Sequence, residues 1–227
     1  MKISPRNSIG RLDRATPAPQ PRATQARSLA TEKKIVAAAL SLLSSRSFEE
    51  LTVPEIAVAA DVSIGGFYAR FTGKQAVLDW FHDQFVTRLL ARADAAMSVA
   101  ALAGQSARDV IRCYIDLAAR AFERDRAILR QIALRSRTTG DANFRERIRA
   151  ANQHLHDLLR ARLRERRAEI MHPTWPRAID IGLTFVSATL REYLLFQDQR
   201  PGFSPIARRT LVQELTEAFC AYLRIQS

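Results

Sequence analysis

The chain has 227 residues, 47% of them apolar, which is enough for a sizeable core in one large or two modest domains. Its formal charge of +12, with all but four of the 35 basic residues arginine, favours an anionic partner such as nucleic acid or a membrane surface without choosing between them. No apolar run approaches the roughly 18 residues of a membrane span, the first 30 residues lack a signal-peptide centre, and the distant Cys113 and Cys220 form neither a disulfide framework nor a metal-ligand spacing, so a cytoplasmic chain with no metal or cofactor is expected.

Glycine is scarce and alternating β-branched runs are missing, which predicts an all-α fold. Residues 1–29 hold four of the nine prolines and few residues able to pack, and read as a disordered basic tail. That tail is either a solvated leader or an arm whose Arg22 and Arg27 touch phosphate. From Thr31 a helical stripe runs through Ile35, Ala38, Ala39, Leu42 and Leu43. Thr52-Val-Pro-Glu55 is a capping box that opens a short second helix carrying Ile56 and Ala57 inward. A tight turn at Asp61 leads to Ser63, a good cap for a third helix. Thr72-Gly-Lys-Gln75 reads as another capping box, opening a long helix striped by Val77, Leu78, Phe81, Phe85 and Leu89. Two short helices joined by a tight turn and braced on either side make a helix-turn-helix over residues 30–75.

Further helices follow. One is capped by Ser106-Ala-Arg-Asp109, one spans about 125–137, one runs from about Asp141 to Ile170, one from Thr174 to Phe196, and a last one from Ser204-Pro205 to about Tyr222. The basic run over residues 160–167 reads as a solvated helix face in preference to a second nucleic-acid patch, because Glu165 and Glu169 interleave it.

The third helix poses a physical puzzle. Ile64, Phe67, Tyr68 and Phe71 lie on one face, yet Gly65 and Gly66, two of the chain's eight glycines, sit among them. Each weakens a helix by about 0.8–1 kcal/mol relative to alanine. Bare backbone there lets the first turn of a recognition helix come close to base edges and phosphate, with close packing on a neighbouring helix as the alternative. Phe67 and Phe71 read as core. Residues 31–80 sum to a charge of −1, so this placement rests on pattern and not on charge.

The run from Thr52 to Leu78 (TVPEIAVAADVSIGGFYARFTGKQAVL) resembles the DNA-binding domain of TetR/AcrR-type bacterial transcriptional regulators. The resemblance rests on Thr52, Glu55, Ile56-Ala57, Ala60, Val62-Ser63, Gly65, Tyr68, Phe71, Lys74 and Leu78. Ser47 and Asp61 stand where the family often has glycine, and Gly66 replaces a common hydroxyl-bearing residue. Asp61 tolerates the left-handed conformation such a turn requires. The resemblance implies phosphate contacts from Thr52, Tyr68 and Lys74, with Arg70 a weaker one. It also implies a groove-facing turn of Ser63, Ile64, Gly65 and Gly66, in which Ile64 suits a thymine methyl.

The same resemblance implies that residues 76–227 form a helical effector-binding and dimerisation domain. The expected product is a homodimeric repressor on a palindromic operator in double-stranded DNA, released by a small apolar or aromatic effector. The candidate lining is Tyr114, Phe122, Phe144, Trp175 and Phe185, with ordinary core packing as the alternative for each residue taken singly. Ile179, Leu183, Val186 and Leu190 on one face of the 174–196 helix, with Ile181 and Phe185 on another, ask for two buried layers, the second a partner subunit. The competing reading is a helical coat or adaptor protein that binds DNA without sequence preference. No nucleophile motif, carboxylate ligand cluster or phosphate loop argues for an enzyme, and His154 and His156, two apart, point to different sides of their helix.

Overall fold

The structure is a computed structural model that describes residues 21–138, 140–196 and 204–226, with side chains from residue 26. Among these residues the fold is all-α: α1 Pro21–Leu43, α2 Val53–Ala59, α3 Ile64–Tyr68, α4 Lys74–Ala96, α5 Ala107–Arg124, α6 Arg126–Thr138, α7 Ala142–Glu165, α8 Trp175–Leu195 and α9 Arg208–Leu223. A short 3₁₀ turn, Arg167–Glu169, follows α7.

α1 begins about ten residues before the expected start, so residues 21–29, read from sequence as part of a disordered tail, are helical. Pro21 suits a first turn, where its missing N–H costs nothing, and residues 22–34 contain no glycine or further proline. Residues 1–20 lie outside the described residues.

Two apolar cores hold the chain. The first gathers Ile35 and Ala39 of α1, Ile56 of α2, Phe67, Phe71 and the α4 stripe Val77, Leu78, Phe81 and Phe85. It also takes Ile128 and Ile132 of α6 and Phe144 of α7, so it reaches past residue 75 into the later helices. The second core is built from α5, α7, α8 and α9. α8 buries Ile179, Leu183, Val186 and Leu190 there, as its stripe predicts. Gly182 sets how closely α8 and α9 cross, because a Cβ added there would lie 1.9 Å from Cε2 of the fully buried Phe219 ring.

Caps follow the sequence in part. Thr52 and Ser106 both make full capping boxes, with Glu55 and Asp109. Gly73 and not Thr72 caps α4, and no side chain bonds the first amides there. α9 starts at Arg208 after Ala207, slightly beyond Ser204-Pro205. The basic run over residues 160–167 is neither a free solvated face nor a bare cationic patch. Arg160 pairs with Asp157 and Asp180. Arg166 donates to the carbonyls of Leu102 and Gln105, and Arg167 stacks over the Trp175 ring.

One long-range contact ties α4 to the entrance of the helix-turn-helix. The Lys74 ammonium donates to the carbonyls of Phe48, Glu49 and Leu51, each at 2.9 Å, and sits 4.9 Å from the Phe48 ring centroid. An ammonium has three donors, so this arrangement engages all of them.

Three outcomes are expected. Gly182→Ala should lower stability by about 1–3 kcal/mol through overpacking on Phe219, despite alanine's better helix propensity; an unchanged urea midpoint would refute the crossing argument. Lys74→Met should cost about 1.5–3 kcal/mol of stability, the worth of charge-assisted hydrogen bonds, readable as a fall in the same midpoint. The third concerns Glu55, whose carboxyl is held down to about 2 from an ordinary 4.5, mainly by the hydrogen bond from Arg46 and then by those from Thr52. A depressed carboxylate stabilises fully above its unfolded value, and that contribution is lost as pH falls through the folded one. The stability gap between wild type and Glu55→Gln should therefore close between about pH 5 and about pH 2.

Candidate nucleic-acid interface

The α2–turn–α3 segment is built for one purpose: to hold a five-residue helix with most of its surface outward. α2 ends at a turn in which Asp61 adopts φ +54°, the left-handed conformation expected at a position where glycine would be at ease. Ser63 then caps α3, its Oγ accepting from the Gly66 amide at 2.9 Å. The Phe67 ring is fully buried and packs against Phe71, with centroids 5.8 Å apart, so it anchors the helix. Around that anchor, Ile64 is 51% exposed and Tyr68 55% exposed, the Tyr68 ring standing edge-on to Phe67. Ser63, Gly65 and Arg70 are exposed, and Gly66 is half-buried.

Space around the two glycines separates the explanations offered from sequence. A Cβ on Gly65 would meet only Ser63 Oγ at 3.9 Å. One on Gly66 would meet Ser63 Oγ at 3.2 Å and Val62 Cβ at 3.8 Å, both local atoms. Neither glycine lies under another helix, so packing does not account for them. Short side chains leave the first turn of α3 low and open, with the Ile64 and Gly65 amides beyond the reach of intrahelical partners.

The remaining candidates divide. Thr52 is exposed, but its amide and hydroxyl both donate to Glu55 Oε2, at 2.9 and 2.7 Å. Lys74 has its donors on three carbonyls. In this conformation both residues fasten the entry to α2, and a phosphate would compete with those bonds. Ser63, Ile64, Gly65, Gly66, Tyr68 and Arg70 remain open to an approaching surface. Val58 on α2, 80% exposed, escaped the sequence reading; the burial of its neighbours Ile56 and Ala57 was the signal that it points outward.

A cavity of about 300 Å³ lies between α4, α5, α6, α7 and α8. Of the five residues expected to line it, Tyr114 and Phe122 do. The other three do not. Phe144 is sealed in the first core beneath the Arg135 guanidinium, 4.2 Å from its ring centroid. Trp175 packs with Arg167, and Phe185 stands edge-on to Phe219 and Tyr222 at the α8–α9 surface. Size and aromaticity do not determine which helix face meets which neighbour. The sequence pattern did not show the rest of the polar lining: His82, Ser136, Asn152, His156, Thr184, Ser187 and Arg191. Burial pushes the His82 and His156 imidazoles below their ordinary range and the Tyr114 phenol above its own, so all three favour the neutral form. His154 turns away from the cavity to Asp94 at 2.7 Å, as the two-residue spacing from His156 predicts.

Among the described residues no helix is long and apolar enough to cross a membrane, and no cluster of three or more His, Cys, Asp or Glu could hold a metal. Residues 35–79 match the family model of bacterial regulatory proteins, tetR family. No curated protein matches the chain. Among solved structures, the fatty acid degradation regulator FadR from Bacillus halodurans is 16% identical with TM-score 0.62, covering 86% of this chain and 97% of that one. The TetR family transcriptional regulator PfmR from Thermus thermophilus is 19% identical with TM-score 0.62, covering 85% and 98%. The transcriptional regulator FadR from Bacillus subtilis, solved in complex with stearoyl-CoA, is 16% identical with TM-score 0.62, covering 82% and 96%. At such identities the structural likeness is one of fold, and the family likeness rests on the matched segment, which is the same segment that carries the exposed α3. Over residues 35–79 the chain is thus similar to the tetR family of bacterial regulatory proteins, and its described helices share the fold of the solved regulators.

Proposed function

We propose that the chain is a cytoplasmic, homodimeric repressor that reads a palindromic operator through residues 30–75 and is released when a small apolar effector enters the helical domain, residues 76–227. The observation that carries the reading is the first turn of α3, uncovered by any other helix among the described residues and offering Ile64 between bare backbone and the Tyr68 ring. A recognition helix meets base edges with its N-terminal residues, so Ile64 is placed for a thymine methyl while Ser63, Tyr68 and Arg70 meet backbone phosphate.

Support for a dimer comes from α8 and α9. Beyond the face buried in the second core, α8 carries Ile181, 47% exposed, and the partly buried Phe185, which adjoins Tyr222 of α9. A second copy covering this face would give α8 its second layer and set two α3 helices on a twofold axis. Support for effector control comes from α4, which lines the cavity with His82, Phe85, Val86 and Leu89 and begins at the Lys74 clamp. A ligand that favours one position of α4 would shift the population of DNA-reading heads. The stearoyl-CoA complex of the Bacillus subtilis regulator is consistent with a ligand site on this fold.

Selection of genomic fragments by the purified full-length protein, followed by footprinting, tests the reading. A discrete, twofold-symmetric footprint is expected, and uniform coverage would replace the repressor with a coat protein. On the selected operator, Ile64→Ala should reduce discrimination against random duplex roughly fivefold or more, the order of one mismatched base pair at about 1–3 kcal/mol. Tyr68→Phe should weaken binding to both duplexes alike. Equal loss across operator and random DNA for Ile64→Ala would contradict this division of roles.

A further inference from the structure

The cavity's lining has a one-sided charge character. Among its residues are one arginine, Arg191, two histidines, His82 and His156, and no aspartate or glutamate. The rest is chiefly Leu, Ile, Val, Ala and Phe. Four of its polar groups come in helical register: Asn152 and His156 are one turn apart on α7, and Ser187 and Arg191 one turn apart on α8, so each of these helices turns a pair of donors to the same space. His82 enters from α4, only 4% exposed, and its Nδ1 makes no hydrogen bond among the described residues, since Asp83 Oδ1 is 3.6 Å away.

Arg191 is half-buried, and no carboxylate of the described residues forms a salt bridge with it. Its charged neighbours are Glu192, adjacent in the chain, and Arg137, which repels it. A guanidinium stays protonated in proteins. An unpaired cation at an apolar cavity is costly, and an arriving anion that accepts its hydrogen bonds relieves that cost. A cationic or purely hydrocarbon ligand would leave Arg191 without a carboxylate partner among the described residues.

We propose that this cavity binds a compact apolar carboxylic acid as its carboxylate, held by the Arg191 guanidinium and the Ser187 hydroxyl with its hydrocarbon or aromatic body among Phe85, Leu89 and Phe122. The proposal rests on the reading of the cavity as the effector site. A volume of about 300 Å³ lies at the small end of ligand pockets, which fits a short acid.

The test is calorimetric titration of the full-length protein with hexanoate, octanoate, decanoate and 4-phenylbutyrate, each beside its primary alcohol. At least one acid should bind tenfold or more tightly than its alcohol. Arg191→Met should erase that preference, and Arg191→Lys should restore part of it. Equal affinity of acids and alcohols, or a preference that survives Arg191→Met, overturns the carboxylate proposal while leaving the cavity as the effector site. Binding of none of the acids or alcohols, or acid binding that persists when Ala118→Trp fills the cavity, overturns the assignment of the cavity itself.

Discussion

A helix of five residues cannot hold itself in place, and in this protein one ring does most of the holding. Phe67 is fully buried, and α3 is otherwise exposed or half-buried. Helix nucleation alone is unfavourable, so a helix this short exists only because tertiary contacts fix it. The Asp61 turn, the Ser63 cap and the Phe67 anchor together hold α3 against α2. The arrangement leaves the opposite side of α3 free of packing duties. That freedom permits two glycines in a helix whose fold would be better served by alanine.

The same logic extends along α4. It begins by locking the 48–51 segment through the Lys74 ammonium and continues as the floor of the cavity. Arg135 of α6 and Arg147 of α7 both reach Asp79 on α4, and Trp80 Nε1 donates to Glu32 of α1 at 3.1 Å. α4 is thus bonded to elements on both sides and shares the first core with α6 and α7. Under the proposed effector control, a displacement of α4 at His82 or Phe85 would pass through the Lys74 ammonium to the carbonyls that lead into α2.

Much of this was legible in the sequence because it depends on local chemistry. The capping boxes at Thr52 and Ser106, the left-handed Asp61, the buried Phe67 and Phe71 and the stripes of α4 and α8 all follow from spacing and residue type. What escaped depends on where distant segments meet. Lys74 looks like a phosphate ligand until the carbonyls of residues 48, 49 and 51 are found around it. Thr52 is a local exception: its capping box was legible, but the pattern did not show that its amide and hydroxyl would both be taken by Glu55 Oε2. Phe144, Trp175 and Phe185 are large and aromatic, which the sequence displays. Which side of each helix borders the cavity is decided by packing, and packing gave that place to smaller aliphatic residues and to His82, His156 and Arg191. The arginines of α7 likewise read as solvated until Asp180 and the carbonyls of Leu102 and Gln105 come within reach.

The claim beneath all of this is that the first turn of α3 is kept bare for the sake of a close approach to DNA. Gly65 isolates it, because an added side chain there meets no other helix. Measured on one operator fragment, Gly65→Ala should leave stability unchanged or raise it by about 0.4–1 kcal/mol, and Gly65→Leu should keep the fold yet lower operator affinity at least tenfold, about 1.4 kcal/mol. A folded Gly65→Leu protein that grips the operator as tightly as the wild type would contradict the account.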